Sequence, residues 1–223
     1  MASEVDIVVA EEPARVVGER LAAAARDGGH VVLTGGTTPG AAYELAAGLQ
    51  RDWTGVELWW GDERCVPPDD ERSNYALAER TLLDRVEPGA VHRMRGELGR
   101  DEGSRLYEQE LGVVQRFDLV LLGLGPDGHV ASLFPGFPTL DVTDRDVLGS
   151  EAGHEPLVDR ISLTLPRLCA TRELLFLVAG EDKADAVSRA LDGEPSKETP
   201  GSLARAAEGT TRAILDRAAA AKL

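Results

Sequence analysis

Short apolar runs alternate with amphipathic helical patterns along the whole of this 223-residue chain. Runs of this kind indicate strands that are buried on both faces, and connecting helices place such strands in parallel. We therefore predict a Rossmann-like α/β fold, with an open, mostly parallel sheet and helices on both of its faces. We expect a single domain over residues 1–223, because folds of this class often reach this length undivided.

The pattern also predicts where the individual elements lie. Strands are predicted at residues 5–9, 31–33, 56–60, 91–94, 119–122, 160–166 and 174–179, the run at 160–166 leading into a helix start. Helices are predicted at 13–26, after Gly40 up to Leu49, from Ser73 onward, at 101–111 and from Lys183 to Leu191. We expect loops at 61–68 and 194–201, the second of them exposed, and we expect 138–159 to be rich in loops. Residues 211–215 fit either a last strand or part of a C-terminal helix.

Net charge limits the possible partners of the chain. The formal charge of −15 argues against nucleic acid and against an anionic membrane surface, both of which need a basic face. A small anionic substrate remains possible, because a few cations and backbone N–H groups can bind an anion locally. Lysine occurs only at positions 183, 197 and 222, so most of the positive charge is arginine.

Cysteine usage and hydropathy bear on the compartment. Cys65 and Cys169 are far apart and lack metal-ligand spacing, which fits a reduced cytoplasmic protein. The N-terminal residues carry acids and no long apolar stretch follows them, so we expect no signal peptide. No apolar run is long enough to cross a membrane. Oligomeric state is not predicted.

The strand at 119–122 leads into a turn that carries an acid and a histidine two residues apart, Asp127 and His129. In open parallel sheets, ligands bind beyond the carboxyl ends of the strands, where this turn should lie. Histidine ordinarily titrates near neutral pH, which makes His129 the best candidate for a general base, with Asp127 orienting its ring. The alternative is a histidine that is simply packed and hydrogen-bonded within the turn.

Three further strand ends deliver polar groups to the same rim. The loop that includes Gly35, Gly36, Thr37 and Thr38 precedes a helix, so its N–H groups and hydroxyls can converge on an anion. Arg64 and Lys183 follow two other strands and could supply positive charge, although either could be a solvated surface cation. Arg160 is a further candidate, and pairing with Asp159 or Glu155 is about as plausible. Together these residues predict a phosphate site with a base beside it.

Several other kinds of site are not supported. The glycine loop lacks the Gly-Lys-Ser/Thr ending of a Walker loop and is not a dinucleotide fingerprint, so no cofactor is predicted. The histidines are scattered without ligand spacing, which argues against a metal. Ser132 is not flanked by the Gly-x-Ser-x-Gly elbow of a serine hydrolase.

The motifs that carry these predictions resemble those of the 6-phosphogluconolactonases. The matching stretches are Gly123-Leu-Gly-Pro-Asp-Gly-His-Val-Ala-Ser-Leu-Phe-Pro135, Gly61-Asp-Glu-Arg64, Ser73-Asn74, Gly35-Gly-Thr-Thr-Pro39, Arg160-Ile-Ser-Leu-Thr164 and Gly180-Glu-Asp-Lys-Ala184. They cover nearly the whole chain in order. The departures are few: threonines stand at 34 and 37 where serine is commoner, His154-Glu155-Pro156 replaces a more basic segment, and Gly201 stands where alanine is frequent.

This resemblance implies the fold of sugar-phosphate isomerases and lactonases, and an enzyme that needs neither metal nor cofactor. The implied reaction is the hydrolysis of 6-phospho-D-glucono-1,5-lactone to 6-phosphogluconate in the pentose phosphate pathway. It implies that His129 activates water and that Arg64 and Lys183 bind the phosphate. The alternatives are a glucosamine-6-phosphate deaminase, whose similar turn continues into Phe-Asn-Glu-Pro rather than Ser132-Leu-Phe-Pro135, and a non-catalytic sugar-phosphate sensor.

Overall fold

The computed structural model describes residues 4–112, 114–152 and 156–223. Its main sheet has seven strands, all parallel, in the order β1-β10-β9-β6-β2-β3-β5. These strands are β1 (Val5–Val9), β2 (Gly29–Leu33), β3 (Asp52–Trp60), β5 (Glu87–Val91), β6 (Phe117–Leu122), β9 (Thr171–Val178) and β10 (Thr210–Leu215). The predicted α/β class with a mostly parallel sheet is confirmed.

A second, smaller sheet lies beside the first. It is antiparallel, in the order β4-β8-β7, and consists of β4 (Asp62–Arg64), β7 (Val147–Ser150) and β8 (Arg160–Leu163). The prediction of a loop at 61–68 is wrong for Asp62–Arg64, which form a strand. Three charged residues give no alternating pattern, and their pairing with β8 joins segments that are distant in the chain.

Helices cover both faces of the main sheet, as predicted. They are α1 (Pro13–Asp27), α2 (Thr37–Leu49), α3 (Asn74–Ala78), α4 (Gly99–Leu111), α5 (Leu165–Cys169) and α6 (Ala184–Leu191). Successive residues of the central strand β6 point to opposite faces, so Leu119 and Leu121 enter one hydrophobic core while Val120 and Leu122 enter the other. Helices α1 and α2 close the first core. Helices α4 and α6, together with the small sheet, close the second.

Three other element predictions are settled by the structure. The strand expected at 91–94 lies earlier, at Glu87–Val91. Residues Thr210–Leu215 form a strand that pairs with β9 and β1, which decides between the two C-terminal alternatives. The prediction of an exposed loop at 194–201 is wrong for its last three residues, because Thr199 to Gly201 are buried. In the described part of the chain, no helix is long and apolar enough to cross a membrane.

Candidate active site

A cavity of about 460 Å³ opens at the carboxyl ends of β2, β6 and β9, next to β4 of the small sheet. Its wall brings together every predicted site residue except Asp127. These residues are Gly35, Gly36, Thr37, Thr38, Arg64, His129, Arg160 and Lys183. The position agrees with the rule that ligands bind beyond the carboxyl ends of parallel strands.

His129 and Asp127 form a close pair on the turn after β6. The Nδ1 atom of His129 lies 2.6 Å from Oδ1 of Asp127, and the main-chain N–H of His129 donates to the same oxygen at 3.1 Å. A carboxylate only accepts hydrogen bonds, so Nδ1 carries the proton in this contact. Asp127 is not among the residues that line the cavity.

Close packing fixes the plane of the His129 ring. The ring of the buried Phe134 lies 4.7 Å from it, centroid to centroid, at an angle of 54°. In addition, a Cβ atom placed on Gly125 would lie 2.1 Å from Nδ1 of His129 and 2.7 Å from Oδ1 of Asp127. The histidine and aspartate therefore occupy the space that any larger residue at 125 would need.

The turn that carries Asp127 and His129 packs against residues 199–201, which were expected to be exposed. The main-chain N–H of Gly201 donates to the carbonyl of Gly128 at 2.8 Å. Gly128 has a φ of +94°, and a Cβ atom there would lie 2.7 Å from Cγ2 of Thr199. This support explains why Thr199, Pro200 and Gly201 are buried, a feature that composition alone does not predict.

Two arginines stand opposite each other at the cavity. Arg64 in β4 pairs in register with Arg160 in β8, and both line the cavity. Burial lowers the pKa of Arg160 from its ordinary value, with Asp62 opposing and Arg64 reinforcing that shift. Like charges directly opposite each other on neighbouring strands destabilise a sheet, so this pairing needs opposite charge nearby.

Pairing of Arg160 with an acid of its own loop was the alternative. Asp159 lies against another arginine instead, with Oδ2 at 3.8 Å from Nε of Arg100. Glu155 lies outside the described residues. Arg160 itself donates to the carbonyls of Val158 and Pro156, both at 3.2 Å, and its guanidinium lies 6.0 Å from the centre of the Phe134 ring.

The glycine loop and Lys183 complete the cationic side of the cavity. Helix α2 begins at Thr37, so the first N–H groups of the helix have no partner within it and can serve an anion. Lys183 ends a short 3₁₀ turn before α6 and lies 3.1 Å from Asp182. Its side chain is 23% exposed, which excludes a fully solvated surface cation.

A network behind Arg64 was missed by the sequence analysis. The buried Glu63 accepts four hydrogen bonds, from Oγ of Ser73 and from the main-chain N–H groups of Arg64, Asn74 and Tyr75, at 2.7–2.8 Å. Burial raises the pKa of the Glu63 carboxyl, and these hydrogen bonds oppose that rise. The only signal in the sequence was the proximity of an acid to a helix start, which does not reveal burial.

Two further features near the turn were not expected. Ser132 is buried and donates through Oγ to Oδ2 of Asp62 at 2.7 Å, so its hydroxyl is engaged as a structural donor. Ala131, which lines the cavity, has a φ of +48°, a conformation uncommon outside glycine and often found at functional sites. Across the described ranges, no group of three or more His, Cys, Asp or Glu side chains is placed to hold a metal ion.

Comparison with known proteins agrees with this geometry. The family model described as "Glucosamine-6-phosphate isomerases/6-phosphogluconolactonase" matches residues 6–213. A 6-phosphogluconolactonase of Streptomyces coelicolor is 42% identical, with 91% of this chain and 85% of the relative covered. One of Mycobacterium tuberculosis is 40% identical, with 98% and 95% covered.

A solved structure gives the same result at the level of the fold. The crystal structure of 6-phosphogluconolactonase from Thermotoga maritima superposes with a TM-score of 0.83 at 29% identity, covering 96% of this chain and 99% of that one. The overall fold and the sequence thus agree with one family. This chain belongs to the glucosamine-6-phosphate isomerase/6-phosphogluconolactonase family.

Proposed function

We propose that this protein is an enzyme that hydrolyses 6-phospho-D-glucono-1,5-lactone to 6-phosphogluconate, a step of the oxidative pentose phosphate pathway. The observation that carries the proposal is a single cavity with a cationic side, formed by Arg64, Arg160 and Lys183, and a histidine–aspartate pair. A phosphorylated lactone needs both features. It needs cations for its phosphate and a base for the water that opens its ring.

His129 acts as the general base in this proposal. Its Nδ1–H group is held by Asp127, so Nε2 takes a proton from the water that attacks the lactone carbonyl. The water oxygen bonds to the carbonyl carbon, and the bond from that carbon to the ring oxygen then breaks. The protonated His129 returns its proton to the leaving ring oxygen. Asp127 orients the ring through its contacts with Nδ1 and the main-chain N–H of His129.

The phosphate of the substrate binds at the other side of the cavity. Arg64, Arg160 and Lys183 donate charge-assisted hydrogen bonds to it, and the N–H groups of the loop from Gly35 to Thr38 add neutral ones. Binding there places the lactone carbonyl near His129. Binding energy from a remote group is then used to orient the reacting atoms.

A deaminase is the main competing function, and the residues after the turn argue against it. The place of the deaminase glutamate is taken by Phe134, which packs against His129 instead of presenting an acid. Lactone hydrolysis needs one activated water and no additional acid for ring opening and isomerisation. A non-catalytic sensor would retain the cations but would have no use for a histidine oriented by Asp127.

The experiment generates the lactone in situ from glucose 6-phosphate and follows its hydrolysis above the spontaneous rate. Release of ammonia from glucosamine 6-phosphate is the control for deaminase activity. We expect rapid hydrolysis and no ammonia. Lactone that disappears only at the spontaneous rate, or ammonia release, would contradict the proposal.

Two variants divide the proposed roles. His129→Ala should lower kcat by about 10²–10⁴-fold while the protein stays folded. Arg64→Ala should mainly raise KM for the phosphorylated lactone and spare an unphosphorylated lactone. A fully active His129→Ala would remove the base from the mechanism, and equal losses on both lactones would show that Arg64 does not bind the phosphate.

A further inference from the structure

We propose that Asn74 is a positioning residue that sets the Arg64 side chain and the Gly35 loop in the geometry that binds phosphate. The inference rests on the proposed function, because it assigns Arg64 and this loop to the phosphate of the substrate. Asn74 lines the cavity next to both of them and is only 2% exposed. It is the only asparagine in the chain.

The side-chain amide of Asn74 connects the Arg64 guanidinium, a donor, with two oxygen acceptors of Asp62. Its Oδ1 accepts from Nη1 of Arg64 at 2.8 Å, and its Nδ2 donates to the main-chain oxygen of Asp62 at 2.8 Å and to Oδ1 of Asp62 at 3.1 Å. A guanidinium can only donate, whereas the Asp62 oxygens can only accept. The side chain at this position must therefore carry one acceptor and one donor, which the asparagine amide provides.

The backbone of Asn74 is fixed to the same support as that of Arg64. Oε1 of Glu63 accepts from the main-chain N–H of Arg64 at 2.8 Å and from that of Asn74 at 2.7 Å. One buried carboxylate oxygen thus ties together the two chain segments that carry the arginine and the asparagine. The guanidinium is further held by the carbonyl of Arg72, at 2.7 Å from Nη1.

Asn74 also contacts the Gly35 loop, the other part of the proposed phosphate site. A Cβ atom placed on Gly35 would lie 1.9 Å from Oδ1 of Asn74 and 2.6 Å from its Cγ. The asparagine amide therefore packs directly on the Gly35 backbone. Because it contacts Arg64 and Gly35 at once, it fixes the spacing between a cation and the N–H groups at the start of α2.

Loss of this contact should affect binding more than chemistry. In Asn74→Ala, the guanidinium of Arg64 loses one of its two hydrogen-bond acceptors and gains freedom, so we expect KM for the phosphorylated lactone to rise about tenfold or more. We expect kcat to change less than threefold and KM for an unphosphorylated lactone to stay the same. Tyr75→Phe is the matched control, because it removes a hydrogen bond to Glu79 from the same helix and leaves the cavity wall intact.

A steric pair of variants tests the contact with the glycine loop. Gly35→Ala alone should raise KM strongly, because its methyl group meets the Asn74 amide. In the Asn74→Ala background those amide atoms are gone, so adding Gly35→Ala should cost little further. Similarly, Asn74→Ala should raise KM by a smaller factor in the Arg64→Ala background than in the wild type, because part of its effect acts through the arginine.

Inorganic phosphate provides a readout that does not depend on turnover. Phosphate should raise the Tm of the wild-type protein and of Tyr75→Phe, and should raise that of Asn74→Ala clearly less. Equal Tm rises in the wild type and Asn74→Ala would overturn the inference, as would an unchanged KM or fully additive double variants. A wild-type protein that is stabilised by phosphate but does not hydrolyse the lactone would overturn the proposed function and leave the role of Asn74 intact.

Discussion

Gly125→Ala tests how the His129 side chain is held. The backbone at 125 has no positive φ, so alanine adds no strain of its own, and the effect comes from the methyl group alone. That methyl carbon would lie 2.1 Å from Nδ1 and 2.2 Å from Cε1 of His129. Ordinary contacts between non-bonded heavy atoms are about 3.5 Å, so the ring must retreat by about 1.4 Å.

A displacement of the His129 ring by this distance breaks its hydrogen bond with Asp127, on which its role as a base depends. The bond between Nδ1 of His129 and Oδ1 of Asp127 is 2.6 Å long, and the same methyl group would lie 2.7 Å from that oxygen. Both side chains can rotate, so we expect the fold to survive at a cost of no more than about 1.5–3 kcal/mol, the contribution of one charge-assisted hydrogen bond. Misplacement of a general base by this distance should lower kcat by about 10²-fold or more.

The assay compares kcat on the lactone generated in situ with Tm in the same preparation. Gly48→Ala is the matched control, since no heavy atom lies within 4 Å of a Cβ there and alanine favours the helix by about 0.5–1 kcal/mol. We expect Gly48→Ala to keep full activity. A Gly125→Ala protein with wild-type kcat would show that the ring is not held against residue 125. Loss of the fold would equally refute the reasoning, because it would show that the two side chains cannot rotate away.

The remaining predictions concern the cationic side. Arg160→Gln should raise KM for the phosphorylated lactone about tenfold or more and reduce the rise in Tm that inorganic phosphate produces; an unchanged Tm rise would contradict the role of the arginine pair. Glu63→Gln should lower the free energy of unfolding by about 1–3 kcal/mol in a denaturant titration. Each carboxylate oxygen accepts a main-chain N–H, so an amide group turned either way leaves at least one buried donor unpaired. A variant as stable as the wild type would show that the four hydrogen bonds are not needed together.

The main sheet could be predicted because its central strands are buried on both faces. Such strands, of which β6 and β9 are the clearest, are continuous apolar runs whatever the rest of the fold does. The turn that carries Asp127 and His129 could be predicted for a related reason. Glycines at the end of a buried strand mark the edge where ligands bind, and the structure places His129 in that cavity wall.

The small sheet could not be predicted from local patterns. Its strand β4 consists of Asp62, Glu63 and Arg64, a composition typical of a solvated loop. These residues are ordered by partners far away in the chain, because β4 pairs with β8 and Glu63 accepts hydrogen bonds from the start of α3. The register of that pairing decides that Arg160 stands opposite Arg64.

Residues that break the local rules coincide here with the candidate site. Burying Glu63 and Asp62 and setting two arginines side by side costs stability, since each departs from what a stable core requires. Natural chains keep such departures mainly where function needs them. In the proposed function, a bound phosphate would offset the arginine repulsion, and the fixed carboxylates would hold the surrounding hydrogen-bond donors in place before it arrives. The part of the chain that sequence patterns describe least well is therefore the part to which we assign phosphate binding.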